Sequence, residues 1–306
     1  MKLFARKPSD GSHNSKLIRR PMQRWCWLFL LPTFAAFCIG FLWPFFQGLF
    51  LSFCKFKVTK IWTWVGFSNY VQAFSDPSFL HAFWYTAVFA VVSLVLINVL
   101  AFAVAYALTQ NIKGSNLFRT VFFMPNLIGG IVLAFIWSMI FDGILVAYGT
   151  SILLKTEFGF WGLVILMCWQ QIGYMMIIYI AGLQAVPEDL IEAARIDGAS
   201  KWQTLIKVTI PNVMPSITIC TFLTLTNSFK LFDQNFALTG GRPFVMLADG
   251  TTVKTTEMLA LNIYNSFYTN LTNRGVGQAK AVIFFILVVA LGLIQLKATR
   301  SKEVQQ

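Results

Sequence analysis

From Trp25 to Cys54, thirty consecutive residues carry no acidic or basic side chain, and a second such run of thirty extends from Phe158 to Pro187. Each is longer than the ~20 residues with which an α-helix crosses the hydrocarbon of a bilayer, where every backbone N–H and C=O must be paired inside the segment. Uncharged runs from Thr120 to Phe141, from Val208 to Phe229 and around Ala82 to Thr109 meet the same length. A sixth, Ala281 to Leu296, is short, but its flanking Lys280 and Lys297 can snorkel, and Gln278 and Ala279 extend the helix. With 57% hydrophobic and 12% charged residues and a mean hydropathy of +0.67, the chain holds more apolar surface than a water-soluble domain of its size buries. The expectation is an all-α integral membrane protein of six spans. The first span, interrupted by Pro32 and Pro44, lacks the small-residue cleavage site of a signal peptide and is read as retained, with helix neighbours packed around the prolines.

A formal charge of +12 raises nucleic acid as a partner, so the positions of the charges matter. Fifteen of the 24 Lys and Arg fall before span one and in the connections after spans two, four and six, and seven fall in the longer loops on the other side. By the positive-inside rule both termini and the segment Pro187 to Pro211 are cytoplasmic. The basic balance is then topology, and nucleic acid is not an expected partner. The expected organisation is a basic cytoplasmic tail, 1–24, a six-span domain, 25–297, and a short cytoplasmic tail, 298–306. Cys26, Cys38, Cys54, Cys168 and Cys220 show no ligand-like spacing and read as small buried hydrophobes. No metal site is expected, and Asn270-Leu271-Thr272 is a formal sequon that decides nothing.

Two loops and one span carry local signals. The outer stretch Lys55 to His81, rich in Trp and Phe, suits an interfacial re-entry, and Ala237 to Gly277 is the longest connection. Span three carries Pro125 and Gly129-Gly130, so its outer part can bend or admit a close helix.

The charged interruption between spans four and five has helix punctuation. Pro187 reads as a first helical residue, Glu188, Asp189 and Glu192 complement the helix dipole, and Gly198 ends that helix. Ser200 and Gln203 make a capping box for a second helix, and Pro211 leads into span five. Ala193 and Ala194 leave a nearly bare backbone face beside Glu192, a surface for another protein's groove or, alternatively, the face of a surface-lying amphipathic hairpin.

Polar residues at membrane depth must face protein or water. In span four these are Gln170, Gln171 and Tyr174 beside Trp169; span five contributes Asn227, Lys230, Asp233, Gln234 and Asn235. Aromatic faces beside amides suit a sugar, by stacking and hydroxyl hydrogen bonds, and interhelical hydrogen bonding is the other reading. Lys230 and Asp233, at i and i+3, could pair. His13 and His81 have no converging partners for catalysis, so no enzyme is expected.

Glu192-Ala193-Ala194, Gly198 and Val208-Thr209-Ile210-Pro211 together resemble the EAA loop of ABC importer permeases, with Val208 and Ile210 in place of the commoner Ile and Leu. Phe29-Leu30-Leu31-Pro32, the run Arg119 to Pro125, the run Ala181 to Pro187 and Gly240-Gly241-Arg242-Pro243 resemble the carbohydrate-uptake branch, in a six-span form similar to the larger maltose-importer membrane subunit. The stretch Phe244 to Lys254 looks longer than the family's usual connection.

This resemblance implies that Glu192, Ala193, Ala194, Asp197 and Gly198 couple to a cytoplasmic ATPase, which would bind ATP and Mg, with no cofactor in this chain. It places Trp169 and Tyr174 beside the sugar path, with Gln170 and Gln171 replacing smaller residues; Asn227, Lys230 and Asp233 join the candidate path as polar residues of span five. It implies a second homologous permease, two ATPase subunits, an extracytoplasmic sugar-binding protein, a sugar substrate, membrane lipid and a bacterial inner membrane. Other readings are a permease for a polyol or glycerol phosphate, or an ion-coupled secondary carrier.

Overall fold

The computed structural model describes residues 28–110, 112–248, 250–269 and 272–300, with residues 299 and 300 by backbone alone. The leader 1–24, Cys26, Asn270, Leu271 and the final six residues lie outside it. The chain divides into two compact units, 1–51 and 52–306.

In the first unit, α1 (Leu28–Leu51) is one helix of 24 residues. Pro44 has no N–H for the carbonyl one turn back, and its ring crowds that carbonyl. The helix absorbs this by widening to a π turn at Cys38–Leu42, where the Trp43 N–H bonds the Cys38 carbonyl. The proline is thus accommodated within the helix itself.

The second unit begins with a hairpin, β1 (Cys54–Val58) on β2 (Ile61–Trp64), and a helix, α2 (Ser68–Ser75). The expected interfacial re-entry is therefore a small folded cap. Buried Asn69 holds it, donating to the carbonyls of Ser52 and Cys54 at 2.8 and 2.9 Å and accepting from Asn273 at 3.0 Å. Cys54 is buried too; burial pushes its thiol up, so it stays an uncharged, small apolar group. Span two, α3 (Pro77–Leu108), starts before the expected Ala82, because Asp76 caps it through the Ser78 N–H at 3.0 Å and Pro77 fits the first turn.

Span three is not one helix from Thr120. It is α4 (Ser115–Phe123), a short 3-10 turn over Met124–Leu127, extended backbone at Ile128 and Gly129, then α5 (Gly130–Leu145). The break answers two approaches. Gly173 of α6 (Thr156–Gln184) admits α4 so closely that a Cβ on it would lie 1.8 Å from the Phe122 carbonyl oxygen. A Cβ on Gly130 would lie 2.8 Å from the Asp233 Cβ, so the close approach expected at Gly129-Gly130 is made by α10 (Asp233–Leu238).

Helix α6 is the centre of the unit. Leu163, Leu166, Met167, Met175 and Met176 are fully buried on it, packed with Phe89, Ile97 and Ala101 of α3 and Leu133 of α5. Tyr179 donates to Asn98 Oδ1 at 2.6 Å, which satisfies two polar groups in that core.

After α6 come α7 (Glu188–Ile196), α8 (Lys201–Asn212) and α9 (Met214–Phe229). Span five does not begin at Val208, and Pro211 is not its link: residues 208–212 belong to α8, which meets α9 at 71°. The corner is Val213, set between Pro211 and Pro215, neither of which can donate across it.

The connection 237–277 is folded. It holds a hairpin, β3 (Phe244–Met246) on β4 (Thr252–Lys254), and α11 (Leu259–Thr269). The stretch Phe244 to Lys254, seen in the sequence as extra length, is that hairpin. His81 Nε2 meets the Thr255 carbonyl at 2.9 Å, tying the connection to α3.

The last helix, α12 (Arg274–Arg300), carries Lys280 in its second turn. Lys280 does not snorkel. It is 2% exposed, with Nζ 2.5 Å from Asp76, 2.7 Å from Ser266 and 3.0 Å from Asn262. Among the described residues five helices are long and apolar enough to cross a membrane, or six with α8 and α9 taken as one bent span.

Candidate functional site

Gln170, Gln171, Asn227 and Gln234, among the polar residues expected in spans four and five, are brought together where α6, α9 and α10 meet the break at Ile128. Gln170, 6% exposed, donates through Nε2 to the Ile128 carbonyl at 3.3 Å and accepts from Gln234 Nε2 at 2.7 Å. Its amide therefore answers the backbone exposed by the broken span three and draws α10 down on α6. One residue on, Gln171 accepts from Asn227 Nδ2 at 3.2 Å, which joins α6 to α9. Trp169 is exposed and meets Trp137 of α5 edge to face at 5.5 Å. Tyr174, half-buried, packs on the core beside them.

Each amide pair leaves donors and acceptors over: Gln and Asn carry two donors and two lone pairs apiece. Rings of Trp169 and Trp137 stand alongside. Gln170 is buried and spent on the fold, whereas the exposed Trp169 ring and the half-buried Gln171–Asn227 pair are groups without a full charge that suit a neutral polyhydroxy solute.

Lys230 and Asp233 do not pair. Lys230 is the cap that ends α9, Asp233 begins α10, and Leu231 and Phe232 between them are not helical, so i, i+3 spacing does not stack the side chains. Both are exposed, at the end of α9 away from α8. Asn235 serves the fold: it donates to Thr239 and to the Thr256 carbonyl at 3.0 and 2.7 Å and accepts from the Met258 N–H.

Gln234 is missing from the residues that the sequence joins to the sugar path, because its Gln170 partner lies 64 positions away; the nearby Gly130 is the available sign of close packing. Among the described residues no group of three or more His, Cys, Asp or Glu could hold a metal.

Past Gln184, α6 runs straight into the charged segment. Pro187, extended at φ −59° and ψ 131°, precedes the first helical residue and caps α7 instead of opening it. Gly198 takes φ +78°, a left-handed conformation that a Cβ resists, and turns the chain out of α7. At Ser200 the capping box is complete: its N–H reaches Gln203 Oε1 at 2.8 Å and its hydroxyl accepts from the Gln203 N–H at 3.3 Å. Glu192, Ala193, Asp197 and Gly198 are exposed and Ala194 is half-buried. Ile196, 86% exposed, and Trp202, 69% exposed, project from the same two helices.

Residues 97–299 match the model of the binding-protein-dependent transport system inner membrane component family. The chain is 41% identical over 289 residues to the probable starch degradation products transport system permease protein AmyD of Thermoanaerobacterium thermosulfurigenes, covering 92% of this chain and 96% of that protein. It is 32% identical to the multiple sugar-binding transport system permease protein MsmF of Streptococcus mutans, covering 94% and 99%. In fold it is similar to a chain of a bacterial ABC transporter involved in the import of the acidic polysaccharide alginate, with a TM-score of 0.75 at 19% identity over 93% of this chain and 98% of that one.

Proposed function

This chain belongs to the family of binding-protein-dependent transport system inner membrane components, a transporter component and not an enzyme, and on that premise we propose that it is a permease of an ATP-driven importer of oligosaccharides. The observation that carries the reading is the pair of amide contacts, Gln170 with Gln234 and Gln171 with Asn227, set beside Trp169 on the helix that leads into Glu188. Named relatives that transport starch degradation products and multiple sugars support the substrate class.

In this reading Trp169, Gln170, Gln171, Tyr174 and Asn227 line half of the sugar path, with Lys230 and Asp233 near its outer mouth. A second, homologous permease supplies the other half. An extracytoplasmic sugar-binding protein delivers the substrate, and two cytoplasmic ATPase subunits bind ATP and Mg.

Both termini and residues 187–211 then lie on the cytoplasmic side. The α7 face around Glu192, Ala193 and Ala194 docks in an ATPase cleft, Asp197 and Gly198 set the angle of the next helix, and bare alanines beside exposed Ile196 suit that contact. Closure of the ATPases moves α7, and α6 and α8 carry the displacement to the two walls of the path.

The deciding experiment screens the cognate binding protein against maltodextrins, other oligosaccharides, polyols and glycerol phosphate, and then measures ATP-dependent uptake of the best ligand. Tight binding of an oligosaccharide, with uptake that needs ATP, supports the proposal; tight binding of glycerol phosphate alone, or uptake that follows an ion gradient without ATP, overturns it.

A further inference from the structure

Two cavities lie side by side beneath α8. One is a polar cavity of about 390 Å³ between the ends of α3 and α6 and the segment α7–α8, with Thr109, Gln184, Glu188, Arg195 and Thr204 in its walls. The other is a groove of about 710 Å³, almost wholly apolar, lined by Val99, Phe102, Ala103, Ile210 and Ile217. They share Tyr106, Lys201 and Leu205. The polar groups at the groove's deep end, Asn98 and Tyr179, are bonded to one another at 2.6 Å, so that end presents carbon.

Side by side they have the form of an amphiphile, a polar head next to an apolar tail, and their dimensions match one leaflet. Asn98 lies ten residues, about 15 Å, from the end of α3 at Leu108. Half of the ~30 Å of hydrocarbon is the same depth. A groove at that depth on the exposed face of α3 has the size and lining to take an acyl chain, and a void beside Val99, 61% exposed, would forfeit the contacts of its lining.

The head cavity favours an anion. Arg195 and Lys201 face it against a single carboxylate, Glu188, and Trp202 stands exposed beside Lys201, as tryptophan does at the headgroup level. We propose that this is a site for an anionic glycerophospholipid of the inner leaflet, whose phosphate is held by Arg195 and Lys201 and one of whose acyl chains lies along Val99 and Ala103. Glu188 and Gln184 accept hydrogen bonds from a hydroxylated headgroup such as that of phosphatidylglycerol. The lipid then bridges the coupling segment to α3 and α6, and its loss loosens that segment from the core. This rests on the cytoplasmic placement of residues 187–211 proposed above.

The test uses the whole complex, with its partner permease and ATPases, equilibrated in vesicles of equal parts phosphatidylcholine and phosphatidylglycerol, extracted gently and assayed for retained phospholipid by mass spectrometry. Wild type should retain phosphatidylglycerol over phosphatidylcholine. Lys201→Gln and Arg195→Gln should each lower that preference about fivefold. Ala103→Trp, at an exposed helical position that tolerates bulk, should displace the tail and lower retention of both lipids. Unchanged retention in all three variants overturns the proposal. So does an efficient disulfide between Ala103→Cys and a cysteine on another subunit or on α1, which would mean that protein and not lipid fills the groove. Retention requires neither sugar nor transport, so this proposal stands or falls apart from the substrate reading, which the uptake assay decides.

Discussion

Gly173 of α6 lies under the carbonyl of Phe122, and a Cβ on it would sit 1.8 Å from that oxygen. The obstacle is backbone, which cannot swing aside as the end of a side chain can.

Gly173→Ala should therefore separate α4 from α6 and cost about 1–3 kcal/mol or more. The check is thermal unfolding of the purified complex, with Gly143→Ala as control, since nothing lies within 4 Å of a Cβ there. Equal melting temperatures for the two variants would refute the contact.

Gln170→Ala and Tyr174→Ala should each lower sugar uptake about fivefold, the rate equivalent of about 1 kcal/mol, while the complex stays assembled. Gln170→Ala should also leave the Ile128 carbonyl and the Gln234 amide unpaired. Full uptake by the double variant at wild-type expression would take these residues out of the path.

The joint at Gly198 makes a separate claim. Gly198→Asp, forced to a left-handed φ of +78°, and Glu192→Ala should both uncouple ATP hydrolysis from uptake or release the ATPase. ATPase pull-down with uptake, measured together, gives the answer, and survival of both would contradict the assignment.

Buried Lys280 and half-buried Asp76 bind α12 to the cap of α3 in an ion pair. Lys280→Met leaves Asp76 unpaired and should cost about 3 kcal/mol, at the low end of the range for a broken buried pair because Asp76 keeps some solvent contact. Adding Asp76→Asn, which removes the orphaned charge and keeps the acceptor for the Ser78 N–H, should restore part of the loss, read as a recovered melting temperature.

What could be read in the sequence was local chemistry. The helices on either side of Gly198 follow from a glycine, a capping serine and its glutamine, all within six residues, and the spans follow from the length of uncharged runs. What could not be read depends on distant partners. The break at Ile128 exists because Gly130 meets Asp233 and Gly173 meets Phe122. Lys280 looked like a snorkelling boundary residue because its acid lies 204 positions away. Lys230 and Asp233 do not pair because the i, i+3 spacing of a helix does not hold across a helix end. The corner at Val213 was displaced from Pro211 because a proline marks where a helix is weakened and packing chooses where it turns.

That corner sets a thickness. Standing upright, α9, with 16 residues, measures about 24 Å, less than the ~30 Å of hydrocarbon. α8, inclined at 71° to it, adds only about 6 Å of depth along its length of about 18 Å. The two together just match the bilayer. In a thicker membrane α8 must steepen, and α7 tilts with it through Gly198; the angle at which α7 stands is therefore partly dictated by the width of the membrane around it.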